Sequence, residues 1–167
     1  MDKQVAVIDI GTNTMLMVTA VWDEDRQNWT RHETFQRFSR IGEDLKLSGS
    51  IPEHVIERNL ACLHEFHSIC AERNIGHVSC FGTSALRDAK NGTTFLERVK
   101  QRTAFDLQII SGEREAELIC TSVAGLYEKP HIPLYILDIG GGSTELIHWQ
   151  DRHIQFLKSL NLGVVHL

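Results

Sequence analysis

One short pattern occurs twice in this chain, and it restricts the fold more than any other feature. Leu134–Ile147 reads LYILDIGGGSTELI, and Val7–Val18 reads VIDIGTNTMLMV. A displacement of 129 positions lays one on the other: Asp9 on Asp138, Ile10 on Ile139, Gly11 on Gly140, and Thr12, Asn13 and Thr14 on Gly141, Gly142 and Ser143. A looser echo follows, Arg40-Ile41-Gly42 against Asn161-Leu162-Gly163. Internal repetition fixes architecture before local propensity does. Two strand–Asp–turn–strand units imply two like domains that present two turns to one cleft.

The runs flanking each turn have the length and composition of strands. Gly140–Gly142 suits a tight turn with positive φ, and consecutive bare N–H groups in such a turn make an anion-binding concavity. The carboxylate of Asp138 would repel a naked phosphate there, which makes sense if a hydrated cation lies between them. Taken alone, each aspartate could equally cap its own turn; two unrelated caps would not need the same neighbours.

Composition narrows the class. The chain has 167 residues, 42% hydrophobic and 23% charged, ordinary for a globular protein with a packed core. A net charge of −5 supplies no basic field for nucleic acid. No apolar run approaches membrane length, and the start Met1-Asp2-Lys3-Gln4 does not read as a signal peptide. Cys62, Cys70, Cys80 and Cys120 are scattered, as expected of reduced thiols in a cytoplasmic protein. The nine histidines form no HExxH-like pattern, and His64 and His67 read as helix-face residues rather than ligands.

In order, strands are expected at Gln4–Ile10, Met15–Trp22 and Trp29–Phe38, then a loop at Arg40–Leu45. A helix from Ser50-Ile51-Pro52-Glu53, with Ser50 as cap, runs to about Asn74. A strand at His77–Phe81, a helix over Thr94–Arg102, a strand at Asp106–Ile110 and a helix from Glu113 to about Tyr127 follow. The Lys129–Pro133 punctuation divides a first domain, 1–128, from a second, 129–167. Strands at Leu134–Ile139, Thr144–Trp149 and Ile154–Leu160 complete the chain. This order implies an α/β fold, a mixed sheet of about five strands with flanking helices plus the first strands of a like domain. Three strands without their helices leave a sheet face bare. The expectation is a fragment of a longer protein, or a face covered by another chain.

A duplicated Asp-x-Gly turn is the device of the ribonuclease H-like superfold of actin, Hsp70 and the sugar kinases. The sequence resembles, more narrowly, the exopolyphosphatase / guanosine pentaphosphate phosphohydrolase (Ppx/GppA) family. The matching segments are AVIDIGTNT at Ala6–Thr14, RIGEDL at Arg40–Leu45, GTSALRDAKN at Gly82–Asn91, IISGEREAEL at Ile109–Leu118, DIGGGSTEL at Asp138–Leu146 and SLNLGVVHL at Ser159–Leu167. Asp44 departs from it, standing where a glycine is common. The resemblance implies metal-assisted hydrolysis of a terminal phosphoanhydride, with Mg2+ or another divalent cation, on polyphosphate or guanosine pentaphosphate. It implies Glu115 as catalytic base and Arg87 as a phosphate contact. Gly11, Thr12, Asn13, Gly140, Gly141, Gly142, Ser143 and Thr144 would bind phosphate, with Asp9, Asp138 and Glu145 at the metal. Full-length members would form a homodimer. Neither nucleic acid nor membrane is an expected partner.

Each residue also has a plainer role. Glu115 could serve only the helix macrodipole, and Arg87 could pair with a nearby acid such as Asp88. No His or Lys stands beside Ser143 or Thr144 to activate a nucleophile, so both are read as phosphate or metal-water contacts. Two other functions fit the same turns: a small-molecule kinase of this superfold, and a binding module for phosphate or an alarmone without turnover.

Overall fold

The computed structural model describes residues 4–127 and 131–165. Among them the order is β1 (Gln4–Ile10), β2 (Met15–Asp23), β3 (Asn28–Arg37), α1 (Leu45–Ser48), α2 (Glu53–Glu72), β4 (His77–Gly82), α3 (Ser84–Asp88), α4 (Gly92–Thr103), β5 (Leu107–Ile109), α5 (Gly112–Ala124), β6 (Leu134–Ile139), β7 (Thr144–Gln150) and β8 (His153–Leu160). Two sheets result. The first is mixed, with order β3-β2-β1-β4-β5; β1 runs antiparallel to β2 and parallel to β4. The second is the antiparallel meander β6-β7-β8. The α/β class and the five-stranded mixed sheet are as the sequence implied.

Two compact units form, one ending at Ile109 and one starting at Ile110. In the first, alternation along β1 and β2 turns Ala6, Ile8, Ile10, Met15 and Met17 to one face. That face packs on Val55, Ile56, Leu60, Leu63 and Phe66 of α2 and on Phe95 and Val99 of α4. Phe66 and Phe95 are fully buried, and truncating either to Ala would cost about 3–5 kcal/mol. Arginines tie the helices and the sheet edge: Arg37 to Glu65, Arg73 to Glu33, and Arg98 and Arg102 to Glu57.

In the second unit, Ala116 and Cys120 of α5 pack on Ile147 and Trp149, joined by Ile119, Leu134, Ile136 and Leu157. Helix α5 therefore groups with the second sheet, whereas the sequence placed it in the first domain. The expected boundary between 128 and 129 lies outside the described residues. The opposite sheet face is the bare one expected: Tyr135, Leu137, Ile139 and Phe156 are exposed, with Tyr135 stacked on His148 at 4.5 Å.

Two local expectations are corrected. Helix α2 starts at Glu53 with Pro52 as its cap and no side-chain cap bond. Ser50 is drawn away by hydrogen bonds with Ser48, and the N–H and C=O of Ile51 are held by the Asn91 amide at 2.8 and 2.9 Å. The glycine turns contain no positive φ; among the described glycines only Gly49 has one. The β7–β8 turn instead places Asp151 and Arg152 at φ 51° and 66°, the handedness a two-residue hairpin requires. Among the described residues no helix is long and apolar enough to cross a membrane.

Candidate functional site

The first turn leaves β1 after Ile10 and closes through the N–H of Gly11, which donates to Thr14 O at 2.9 Å. Glycine suits this close approach, since a Cβ on Gly11 would lie 3.2 Å from that oxygen, a tight contact. The remaining carbonyls are all taken. Ser39 Oγ donates to Gly11 O at 3.0 Å, Gly42 N to Thr12 O at 3.1 Å, and Arg40 N to Asn13 O at 3.0 Å. The N–H groups of Thr12 and Asn13 meet no acceptor among the described residues. A loop with its acceptors occupied and its donors open holds anions.

Helix α2 braces the backing loop. Arg58 donates to Ser39 O at 3.1 Å and to Glu43 Oε2 at 2.8 Å, and Asn59 Nδ2 donates to Ser39 O at 3.0 Å. The Arg58 hydrogen bond holds the Glu43 carboxyl below its ordinary range. Helix α3 is set against the same end of β1, because Thr83 N donates to Ile10 O at 3.2 Å; this carries Arg87 to the carboxyl end of the parallel strands, where open α/β sheets bind ligands. Asp9 is exposed at the end of β1. Burial, with the charge of Asp9 adding to it, pushes the Cys80 thiol far up, which excludes it as a nucleophile at neutral pH.

The second turn repeats the first. Gly140 N donates to Ser143 O at 2.9 Å, and a Cβ on Gly140 would again stand 3.2 Å away. Val164 N donates to Gly140 O at 3.1 Å and Val165 N to Gly141 O at 2.9 Å. Gly141 and Gly142 keep open N–H groups among the described residues. Gly163 presses on this turn, where a Cβ would lie 2.5 Å from the backbone of Gly141 and Gly142. Ser143 is buried. The Thr144 hydroxyl donates to Leu162 O, so it has no proton for a phosphate and serves as a tie between loops.

The acids divide unevenly. Asp138 pairs directly with Glu145, and Glu145 with Ser159, in one row across the three strands. Directly opposed residues share a face. Glu145 is 1% exposed and accepts a 2.8 Å hydrogen bond from Ser159 Oγ. Neither acid has an ion pair with Lys, Arg or His among the described residues. Like charges directly opposed are destabilising, so this row fits a cation. No group of three or more His, Cys, Asp and Glu is gathered among the described residues. Two carboxylates are nonetheless what Mg2+ commonly takes, its other positions going to water and substrate phosphate. Asp9 sits in the first unit opposite Leu16 and has no second acid across from it.

Glu115 is half-buried in the first turn of α5, its N–H donating to Ser111 O at 2.9 Å. Ser111 caps the helix, its Oγ accepting from Arg114 N at 3.1 Å.

Comparison with known proteins bears on this arrangement. The family model described as the Ppx/GppA phosphatase family matches residues 30–167. The chain belongs to the Ppx/GppA phosphatase family. It is 33% identical over 168 residues to the bifunctional 3-dehydroquinate synthase/phosphatase of Fusobacterium nucleatum, covering 97% of this chain and 25% of that protein. It is 31% identical over 165 residues to exopolyphosphatase 1 of Mycobacterium tuberculosis, covering 98% and 47%. The crystal structure of an exopolyphosphatase from Cytophaga hutchinsonii superposes with a TM-score of 0.89 at 31% identity, covering 98% of this chain and 52% of that one. The chain thus spans about half the length of the exopolyphosphatase relatives it matches. Its fold is the actin-like α/β fold of this family.

Within this Ppx/GppA chain, the structure gathers Gly11, Thr12, Asn13 and Arg87 around the end of β1. It gathers Gly140–Ser143 with Asp138 and Glu145 at the joined ends of β6 and β7. The turns are held by Ser39, Arg58, Asn59 and Ser159, for which the sequence carries no local signal, and by Gly42 and Gly163. The Arg-Ile-Gly and Asn-Leu-Gly echo marked the glycines, and their register behind each turn explains why it exists.

Proposed function

We propose that this chain carries the phosphate-holding and water-activating residues of a hydrolase that removes the terminal phosphate of inorganic polyphosphate. The observation that supports this most is the pair of matched turns, each with three carbonyls occupied and two N–H donors open, in a family that includes exopolyphosphatases. The open donors, with Ser143 and Arg87, would hold phosphoryl oxygens, Arg87 as a planar two-pronged donor. Asp138 and Glu145 would hold a divalent cation, which when bound neutralises charge on the phosphates. Glu115 takes a proton from water as its oxygen bonds to the terminal phosphorus; the anhydride P–O bond breaks, and its electron pair leaves with the shortened chain. Positioning and charge neutralisation are most of what this reaction asks of a protein.

The test is phosphate release from polyphosphate with Mg2+ present, for the natural sequence and for Glu115→Gln. The expected loss is about 100-fold or more. Equal rates would remove Glu115 from the mechanism. Guanosine pentaphosphate offers the same terminal bond and is the second substrate to run; release from it alone would move the assignment to the nucleotide.

A further inference from the structure

Arg40 lies in the left-handed region, at φ 44°. A side chain with a Cβ is strained there, and Gly or Asn is the usual occupant. The other non-glycine residues in this region have local reasons. Gln27, Asp151 and Arg152 turn hairpins, Asn74 and Ala104 follow α2 and α4, and Asp44 precedes α1. Arg40 turns no hairpin and borders no helix. Its backbone is fixed by three contacts: its N–H donates to Asn13 O at 3.0 Å, and its carbonyl accepts from Glu43 N at 3.0 Å and Arg58 Nη2 at 3.4 Å. Its side chain is exposed and meets no hydrogen-bond or ion-pair partner among the described residues. Glu43, the acid on which it acts through space, is committed to Arg58. A strained, immobilised backbone thus carries an unpaired guanidinium one hydrogen bond away from Asn13, whose own N–H is open. In the second unit the matching residue is Asn161, without charge and outside the left-handed region.

Backbone strain persists where surrounding structure imposes it, and it concentrates at ligand sites. We propose that Arg40 contacts a second phosphoryl group of an anion whose first phosphoryl group occupies the Gly11–Thr14 turn, so that this turn prefers condensed phosphate over orthophosphate. A guanidinium suits the task because it grips two phosphoryl oxygens in one plane. The proposal rests on the anion-holding role given to the turns above.

Titration calorimetry of this chain with tripolyphosphate and with orthophosphate, alongside thermal melts, tests it in the natural sequence, Arg40→Gly and Arg40→Lys. Arg40→Gly should lower tripolyphosphate affinity about tenfold or more and change orthophosphate affinity less than about twofold. It should also raise Tm by a few degrees, since glycine relieves the left-handed strain. A variant that is more stable and yet binds less is not explained by damage to the fold. Arg40→Lys should keep part of the preference without the gain in Tm. Equal losses for both anions, or no loss for tripolyphosphate, would overturn the role of Arg40 and leave the turn itself standing. If the natural sequence binds neither anion, the anion-holding turn and the role of Arg40 fall together.

Discussion

The two turns share a backbone and differ in what surrounds it. Each closes with a 2.9 Å bond from a glycine N–H to the carbonyl three residues on, and each would meet that carbonyl at 3.2 Å if the glycine had a Cβ. Across from Asp9 stands Leu16; across from Asp138 stands Glu145. The first turn is backed by a loop carrying Arg40, braced from α2 by Arg58, with Arg87 on α3 at the same strand end. The second is backed by Leu162–Val165, and its unit carries Glu115, Asp138 and Glu145. Duplication has kept the turn geometry and changed its surroundings. The first copy has Asp9 and Glu43 with three arginines near it, the second has Asp138 opposed to a buried Glu145.

The contrast breaks first at the glycines behind the turns. A Cβ at Gly163 meets rigid backbone at 2.5 Å, whereas one at Gly42 meets the Thr12 methyl at 2.4 Å. Gly163→Ala should therefore destabilise the second unit by about 3 kcal/mol, and Gly42→Ala the first by about 1–2 kcal/mol. Combining Gly42→Ala with Thr12→Gly, which gives the first turn the residue found at Gly141, should abolish most of the smaller cost. Denaturant melts followed at Trp149 for the second unit and at the Trp22–Trp29 pair for the first separate the two.

A smaller effect sharpens the contrast at the acids. Ser159→Ala removes the hydrogen bond to the buried Glu145 carboxylate. It should cost about 1–3 kcal/mol and weaken Mn2+ binding about tenfold, while tripolyphosphate binding in the absence of metal stays unchanged. Manganese titration by electron paramagnetic resonance reads the first effect, calorimetry the second.

The smallest effect concerns acid. Hydrogen bonds from Arg58, Arg98 and Arg37 hold Glu43, Glu53 and Glu65 below their ordinary range; all three acids lie in the first unit. Their folded values are below their unfolded ones, so the unfolded chain binds more protons as pH falls. The stability they add is complete above the ordinary carboxylate value, about 4.3, and is lost as pH falls through the lowered folded values. Because these pairs are exposed, the loss is slight. Melts from pH 6 to 3 should show Glu65→Gln flattening the acid limb of the first unit and leaving that of the second unchanged.

Much of this was legible in the sequence because it is periodic or repeated. The length and composition of Gln4–Ile10 mark a strand, the 3.6-residue spacing of Ile56, Leu60, Leu63 and Cys70 marks a helix, and the displaced copy marks both turns. What escaped is carried by contacts between distant residues. Ser39 reaching Gly11, Asn91 clasping Ile51 and Ser159 facing Glu145 depend on register and loop return, which no local window contains. The glycine turns failed in a different way. Consecutive glycines suggest positive φ, whereas here Gly11 and Gly140 permit close backbone approach. Chain order groups helix α5 with the first unit, yet its apolar face packs on Ile147 and Trp149.

The carbonyls of the second turn find their donors in Val164 and Val165, beyond the end of β8. The occupied carbonyls are therefore not a property of the Asp-Ile-Gly-Gly-Gly-Ser stretch by itself. A peptide spanning β6, the turn and β7 would have little grip on an anion even if it formed its hairpin. The turn reaches its full set of backbone bonds only when the last strand has paired and the segment after it returns to the hairpin, so an anion held there would report that the whole meander has closed.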